Sequence, residues 1–144
     1  MSNPLADMQK PEVIFCIGTN MTECHPVAAT GIKKAIAKGS KMIVADPRRI
    51  GLADLSHLYL PLRVGSDVAL LLAMAHVIQR EGLANNDFIE TRTEGIQDFL
   101  NHIEAFTPEW AATITGLNPK DIETAAILYA SANRSAIYYT LGIT

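Results

Sequence analysis

The residues with the clearest chemical potential stand in three short clusters, each directly after an apolar run. The first cluster follows the run 13–17 and combines a glycine, which allows close backbone approach, with side chains that donate and accept hydrogen bonds. A strand that ends in such residues and leads into a helix places free backbone N–H groups at its carboxyl end, where open α/β sheets bind ligands. The binding candidates of this cluster are Gly18, Thr19, Asn20 and Glu23.

The first cluster differs from the glycine fingerprint of NAD-binding folds. Asn20 stands where the second glycine of Gly-x-Gly-x-x-Gly would be, so the sequence argues against an NAD-linked dehydrogenase. The alternative without a ligand is that Asn20 and Glu23 only stabilise the start of the following helix.

The second cluster, Asp46, Pro47 and Arg48, follows the run 42–45. Asp46 stands at a strand end, where dinucleotide-binding folds place the carboxylate that accepts both ribose hydroxyls. Arg48 and its neighbour Arg49 could pair with a phosphate or stack on a base. A solvent-exposed turn that starts with Asp-Pro is the alternative that requires no ligand.

The third cluster, Gly65, Ser66 and Asp67, follows the run 58–62 and precedes a strongly apolar helical segment. Ser66 and Asp67 are expected to cap that helix. A carboxylate here can also accept hydrogen bonds from N1–H and the 2-amino group of guanine, which is a common way to recognise that base. Three strand ends with such clusters predict one site of nucleotide size.

The remaining polar and sulfur-containing side chains form no recognisable catalytic arrangement. The four histidines are scattered, and only His25 stands beside a cluster. Cys16 lies within an apolar run and is interpreted as a core residue. Cys24 and His25 are two adjacent ligands, which are too few for a tetrahedral metal site. We therefore predict neither catalytic residues nor metal ligands in this chain.

Length and composition restrict the class of protein. The chain has 144 residues, enough for one domain with its own core, and its 49% apolar and 19% charged residues are typical of globular proteins. A net charge of -3 argues against a nucleic-acid partner, which favours a basic face. The sequence shows neither a signal peptide nor an apolar run of membrane-spanning length, so we expect a cytoplasmic protein without a membrane segment.

Hydrophobic periodicity predicts the elements that hold the three clusters. Strands are expected at 12–17, 41–45, 58–62 and 135–141, and helices at 26–38 and 68–81, with three further helices before the last strand. This order predicts an α/β protein with a three-layer, mostly parallel, Rossmann-like sheet and an added helical cluster. Because Pro61 does not suit an interior strand, we expect the third strand to lie at a sheet edge or to end early. We expect a flexible leader over 1–11 and a single domain over 12–144.

Taken together, the three clusters resemble the molybdopterin oxidoreductase family. The matching stretches are VIFCIGTNMTECHP, IVADPRR and LRVGSDVALL, in the family's order, and IETRTEG, TPE, ITG and YTLGIT add support. Within the family, the resemblance is strongest to the catalytic (alpha) subunits of formate dehydrogenases. It extends over nearly all of the chain from position 12 onward.

The resemblance implies one of two related α/β domains that each hold one molybdopterin guanine dinucleotide, with molybdenum or tungsten in the complete enzyme. The first cluster would line the nucleotide or pyrophosphate, the second would hold the ribose and flank the base, and the third would recognise guanine. Gly142, near the end of the sequence, would approach the dinucleotide or the pterin. The complete enzyme would oxidise formate to CO2.

The chain also departs from complete enzymes of this family. It has no cluster of four cysteines for an iron–sulfur centre and no metal-ligating cysteine or selenocysteine motif. We therefore expect a domain taken from a larger enzyme and inactive on its own. Its partners would be the remaining domains, with electron-transfer subunits as further candidates, and exposed apolar surface would favour self-association. A domain of another family member, such as a nitrate reductase, and a non-catalytic nucleotide-binding module are the alternatives.

Overall fold

The computed structural model describes residues 4–143 of the chain. These residues form two compact units. The first unit combines the described residues up to Leu62 with those from Ala132 onward, and the second unit is Arg63–Ser131. Along the sequence, the second unit is therefore inserted between two segments of the first.

The first unit is built on a four-stranded parallel sheet with the strand order β3-β2-β1-β4. The register aligns Ile17 with both Ala45 and Tyr139, so three strands end level with one another. The third strand lies at an edge and ends before Pro61, as predicted. The expected α/β class with a parallel sheet is confirmed. The strands are β1 (Val13–Ile17), β2 (Lys41–Ala45), β3 (Leu58–Leu60) and β4 (Ser135–Tyr139).

Two helices follow β1 in the first unit. The short α1 (Met21–Cys24) was not predicted, and α2 (Pro26–Ala37) connects β1 with β2. Every β1 residue and the last four residues of β2 are buried, which explains why both strands are continuous apolar runs in the sequence. The cluster of buried residues that joins strands and helices includes Ile14, Cys16, Ile32, Met42 and Val44.

Part of the leader expected over 1–11 forms a short helix. Leu5–Gln9 is a 3-10 helix, and Met8 within it is only 3% exposed because it packs into the same buried cluster. Methionine suits this place because its flexible side chain fills irregular gaps. The first three residues of the expected leader lie outside the described residues.

The second unit contains five helices within residues 63–131. They are α3 (Asp67–Arg80), α4 (Asn86–Arg92), α5 (Ile96–Ile103), α6 (Pro108–Thr115) and α7 (Pro119–Ala130). The apolar α3 packs against α5, α6 and α7, and Leu70, Ala73 and Val77 are its fully buried contributions. No helix in residues 4–143 is long and apolar enough to cross a membrane.

Side-chain caps start three helices of the second unit. Asn85, Thr107 and Asn118 each accept a backbone N–H from the first turn of their helix. The predicted cap of α3 is wrong in its chemistry. Ser66 occupies the N-cap position, but its hydroxyl donates backwards to the carbonyl of Arg63 at 2.6 Å, so it closes a turn instead.

Candidate nucleotide-binding site

The chain turns sharply at the end of β1, where Gly18 has a φ of +56°. The Gly18 N–H donates to the carbonyl of Ala45 at 3.1 Å, so the turn stays attached to β2. Thr19 follows and is only 2% exposed. Of the buried side-chain oxygen and nitrogen atoms in residues 4–143, Thr19 Oγ1 is the one without a hydrogen-bond partner. Such an atom costs about 1–3 kcal/mol, so a bound group that reaches it would be stabilised.

Asn20 and Glu23 stand at the start of α1. Asn20 is at the N-cap position, yet its Oδ1 accepts the Thr22 hydroxyl at 3.0 Å and receives no backbone N–H of the helix. Glu23 lies in the first turn with an exposed side chain. The alternative in which the Asn20 side chain only caps the helix is therefore wrong.

The segment that follows β4 lies directly against the β1 turn. A Cβ placed on Gly142 would be 2.6 Å from the Gly18 carbonyl oxygen, and one placed on Gly18 would be 3.0 Å from the Gly142 carbonyl carbon. The Thr140 hydroxyl also donates to the Gly18 carbonyl at 2.9 Å. The two backbones approach this closely because both residues are glycine. Sequence reasoning placed Gly142 near the site but did not predict this contact.

Asp46 is 5% exposed at the end of β2, and its carboxylate folds back onto its own turn. Oδ1 accepts the backbone N–H of Arg48 at 2.8 Å, as in an Asx turn. The guanidinium of Arg48 is 4.0 Å from the same oxygen, but this side chain is 74% exposed and the ion pair is weak. Pro47 is exposed between them. The alternative of a turn without a ligand thus explains only Oδ1 of Asp46. Within residues 4–143, Oδ2 has no hydrogen bond.

Arg49 differs from Arg48 because its guanidinium is already engaged. Its Nε donates to Asp54 at 2.9 Å, and its charged end lies 5.6 Å from the centre of the Tyr59 ring. The Tyr59 hydroxyl donates to the Asp46 backbone carbonyl at 3.0 Å. Burial and then the negative charge of Asp46 raise the pKa of Tyr59, while Arg49 lowers it. Arg48 is therefore the arginine of this turn that is free to contact a phosphate or a base.

The third cluster belongs to the second unit. Gly65 has a φ of +78°, and the Ser66 N–H donates to the Arg63 carbonyl at 3.2 Å, which closes a four-residue turn. Asp67 then begins α3 and is partly exposed. Among residues 4–143, the Asp67 carboxylate has no hydrogen-bond or ion-pair partner. It is stabilised by the positive end of a 14-residue helix and can accept hydrogen bonds from a ligand.

The remaining histidines and cysteines form no metal centre. No group of three or more metal-ligating side chains is placed to hold an ion in residues 4–143, and both Cys24 and His25 are exposed. Burial raises the pKa of the Cys16 thiol to about 12, in agreement with the predicted core role. His57 Nδ1 accepts the Met42 N–H at 3.3 Å, so this histidine extends the hydrogen bonding beside β2.

Two of the three predicted clusters therefore meet in one unit. The first cluster, the second cluster and Gly142 lie at the level carboxyl ends of β1, β2 and β4. What sequence reasoning missed is the Thr140 hydroxyl, which holds the β1 turn from the neighbouring strand. The parallel register of β1 and β4 would have predicted this contact. Tyr139 is level with Ile17, so the next residues of the two strands, Thr140 and Gly18, are neighbours.

Comparison with known proteins gives a match over the whole chain. The family model described as molybdopterin oxidoreductase matches residues 1–144. The chain is 40% identical to the F420-dependent formate dehydrogenase 1 subunit alpha of Methanococcus maripaludis and 38% identical to formate dehydrogenase H of Escherichia coli. Both alignments cover 100% of this chain, and 21% and 20% of the respective relatives. The chain thus spans about a fifth of the length of these relatives.

A nitrate reductase and an acetylene hydratase are also similar to the chain, which again matches only about a fifth of their length. A nitrate reductase of Symbiobacterium thermophilum is 42% identical over 85% of this chain and 18% of its own length. The solved structure of acetylene hydratase from Pelobacter acetylenicus superimposes with a TM-score of 0.87 at 28% identity, over 96% of this chain and 20% of that chain. On this evidence, the chain belongs to the molybdopterin oxidoreductase family.

Proposed function

We propose that this chain is the part of a formate dehydrogenase-like molybdoenzyme that binds the nucleotide end of molybdopterin guanine dinucleotide. The observation that carries the proposal is the β1 turn. There the buried Thr19 hydroxyl has no partner, and the backbones of Gly18 and Gly142 meet without a side chain between them. Open parallel sheets bind nucleotides outside strand ends of this kind.

The first two clusters would hold the pyrophosphate and the ribose. Backbone N–H groups at the β1 turn and the Thr19 hydroxyl are suited to phosphate oxygens. The carboxylates of Glu23 and Asp46 would accept ribose hydroxyls, because they would repel a phosphate. Pro47 and the exposed Arg48 would flank the base, and Arg48 could also neutralise phosphate charge.

The third cluster would select guanine. The Asp67 carboxylate has the acceptor geometry for N1–H and the 2-amino group of guanine, whereas adenine offers no such pair of donors. The four-residue turn that contains Gly65 and Ser66 would bring the Asp67 carboxylate to the base. The dinucleotide-binding domain that we propose covers residues 12–144.

The family implies a molybdopterin cofactor that contains molybdenum or tungsten. The residues present fit its guanine dinucleotide form, because the buried Thr19 hydroxyl lacks a hydrogen-bond partner and the partly exposed Asp67 carboxylate is able to accept hydrogen bonds from a base. When bound, the cofactor would supply the two-electron chemistry at its metal. The residues of this chain would bind and orient it, and Gly142 would keep backbone close to the dinucleotide.

For the complete protein we propose the oxidation of formate to CO2, because formate dehydrogenases are similar to the chain over its full length. The second candidate is a nitrate reductase, which the Symbiobacterium relative favours. A non-catalytic nucleotide-binding module is the third. The proposed location is the cytoplasm, with electron-transfer subunits as candidate partners of the complete enzyme.

The chain should contact further domains of a larger protein, because its relatives are much longer. Apolar side chains on and after β4 offer a surface for such contacts. Ile137, Tyr139 and Leu141 are 44%, 60% and 91% exposed. The same surface would allow the isolated chain to self-associate.

Calorimetric titration of the chain with GDP, and with ADP as the comparison nucleotide, tests the proposal. We expect GDP to bind with a dissociation constant of about 0.1–1 mM, which is weak because GDP lacks the pterin. ADP should bind more weakly still, because it lacks the guanine. Asp67→Ala should weaken GDP binding about 5- to 150-fold, since two guanine donors would lose their acceptor.

Asp121→Ala is the matched control, because Asp121 is also a partly exposed aspartate in the first turn of a helix of the second unit. It should leave GDP binding unchanged. Equal affinity of the original chain for GDP and ADP, or equal GDP affinity of the Asp67 variant and the original chain, would contradict the proposed guanine site.

A further inference from the structure

The turn that precedes Asp67 is held at both ends by a single arginine. The Arg63 guanidinium donates from Nη1 to the carbonyl oxygens of Thr113 and Ile114, at 3.1 and 3.4 Å. The Arg63 backbone N–H donates to the carbonyl of Thr115 at 2.9 Å. Three consecutive carbonyl groups at the end of α6 therefore accept from one residue. These are groups that a helix end leaves without partners, and they carry its negative partial charge.

Gly116 leaves the space that this arrangement requires. It ends α6 with a φ of +76°, and a Cβ placed on it would be 3.2 Å from Arg63 Nε. A side chain here would therefore require the guanidinium to shift by a few tenths of an ångström.

The carbonyl of Arg63 fixes the other end of the turn. It accepts both the N–H and the hydroxyl of Ser66, at 3.2 and 2.6 Å, and the Ser66 carbonyl in turn accepts the Leu70 N–H within α3. Asp67 is the next residue after Ser66. A continuous series of hydrogen bonds therefore links the end of α6 to the start of α3, and all of its members lie in the second unit.

From this series of contacts we propose that Arg63 is a positioning residue for the Asp67 carboxylate. It anchors the 63–66 turn to the end of α6 and thereby fixes the direction in which Asp67 meets a guanine base. The inference rests on the proposed guanine-binding function. The role proposed for Arg63 is indirect, since the contacts of its Nη1 are with carbonyl groups of α6.

Arg63→Lys tests the proposal, because lysine keeps the positive charge but lacks the planar guanidinium whose Nη1 donates to both α6 carbonyls. Titration with GDP and with IDP, which lacks the 2-amino group, measures recognition by Asp67 separately from binding of the rest of the nucleotide. We expect GDP affinity to fall about 3- to 10-fold and the preference for GDP over IDP to be lost.

Arg80→Lys is the matched control. Arg80 lies in the same unit and donates to Glu81 and Glu123 at 2.9 and 2.8 Å, away from the 63–66 turn. It should keep both the GDP affinity and the preference over IDP. Arg63→Lys in the Asp67→Ala background should have no further effect on GDP binding, whereas a merely structural loss would add to that of Asp67→Ala.

The possible results separate the two proposals. If the original chain prefers GDP and Arg63→Lys keeps that preference, the positioning role is wrong and the guanine site stands. If the original chain does not distinguish GDP from IDP and ADP, the guanine site fails and the role of Arg63 fails with it. Should Arg63→Lys not fold, Gly116→Ala replaces it, with Gly82→Ala as control, since Gly82 has a φ of +66° and open space around it. Only Gly116→Ala should reduce the GDP preference.

Discussion

Replacing Thr19 by valine should stabilise the free protein and weaken its binding of nucleotide. The Thr19 hydroxyl is buried without a partner, and valine has nearly the same shape with a methyl group in its place. An unsatisfied buried polar group costs about 1–3 kcal/mol, so its removal should raise the free energy of unfolding by at least about 1 kcal/mol. For a urea dependence of about 2 kcal/mol per M, the unfolding midpoint should rise by about 0.5 M.

Thr19→Ser is the control for this prediction. Serine keeps the unpaired hydroxyl and removes a buried methyl group, so the free energy of unfolding should fall by about 1 kcal/mol. Urea unfolding followed by circular dichroism measures both variants, and calorimetry with GDP measures binding. A valine variant as unstable as the serine variant would show that the hydroxyl is satisfied in the folded protein, and the argument from an unpaired atom would be refuted.

Further predictions concern the β1 turn and the two thiols. Gly18→Ala should destabilise the chain by about 2–3 kcal/mol in urea unfolding, against about 1 kcal/mol for Gly82→Ala, because only the first adds a clash to the left-handed backbone. Ellman's reagent should label Cys24 rapidly and Cys16 only after unfolding, since Cys24 is exposed and Cys16 is buried. Burial raises the pKa of Cys16 to about 12, so above about pH 9 the unfolded state releases this proton while the folded state keeps it. The free energy of unfolding should then fall by up to about 1.4 kcal/mol per pH unit, and no fall in urea titrations between pH 9 and 11 would contradict the burial of the thiol.

Local sequence signals were sufficient for most of the fold. The run at 41–45 gives β2 with its observed bounds because a strand buried on both faces is apolar throughout. Caps at Thr107 and Asn118 were predictable because an N-cap bond spans only two or three residues. Pro61, which lacks the N–H that an interior strand needs, predicted a third strand that lies at an edge or ends early, and β3 does both.

The parts that could not be predicted depend on contacts distant in sequence or on a choice between partners. The contact between Gly18 and Gly142 joins two backbones and leaves no periodic pattern that either segment could reveal. Serine is a preferred N-cap residue, but the hydroxyl of Ser66 donates to the nearby Arg63 carbonyl and does not accept a helix N–H. The four-residue α1 is too short to form on local propensity and depends on its surroundings.

The insertion of the second unit between β3 and β4 has a consequence for the order in which the chain can fold. The Thr140 hydroxyl and the Gly18 carbonyl that it contacts are 122 residues apart, so the sheet cannot be completed until the chain has been made beyond Tyr139, the last residue of β4. During synthesis, one edge of β1 therefore stays unpaired while the second unit is being made. We therefore expect pairing of β4 to be a late and slow step, and the free edge of β1 to be the place where a nascent chain is most exposed to aggregation.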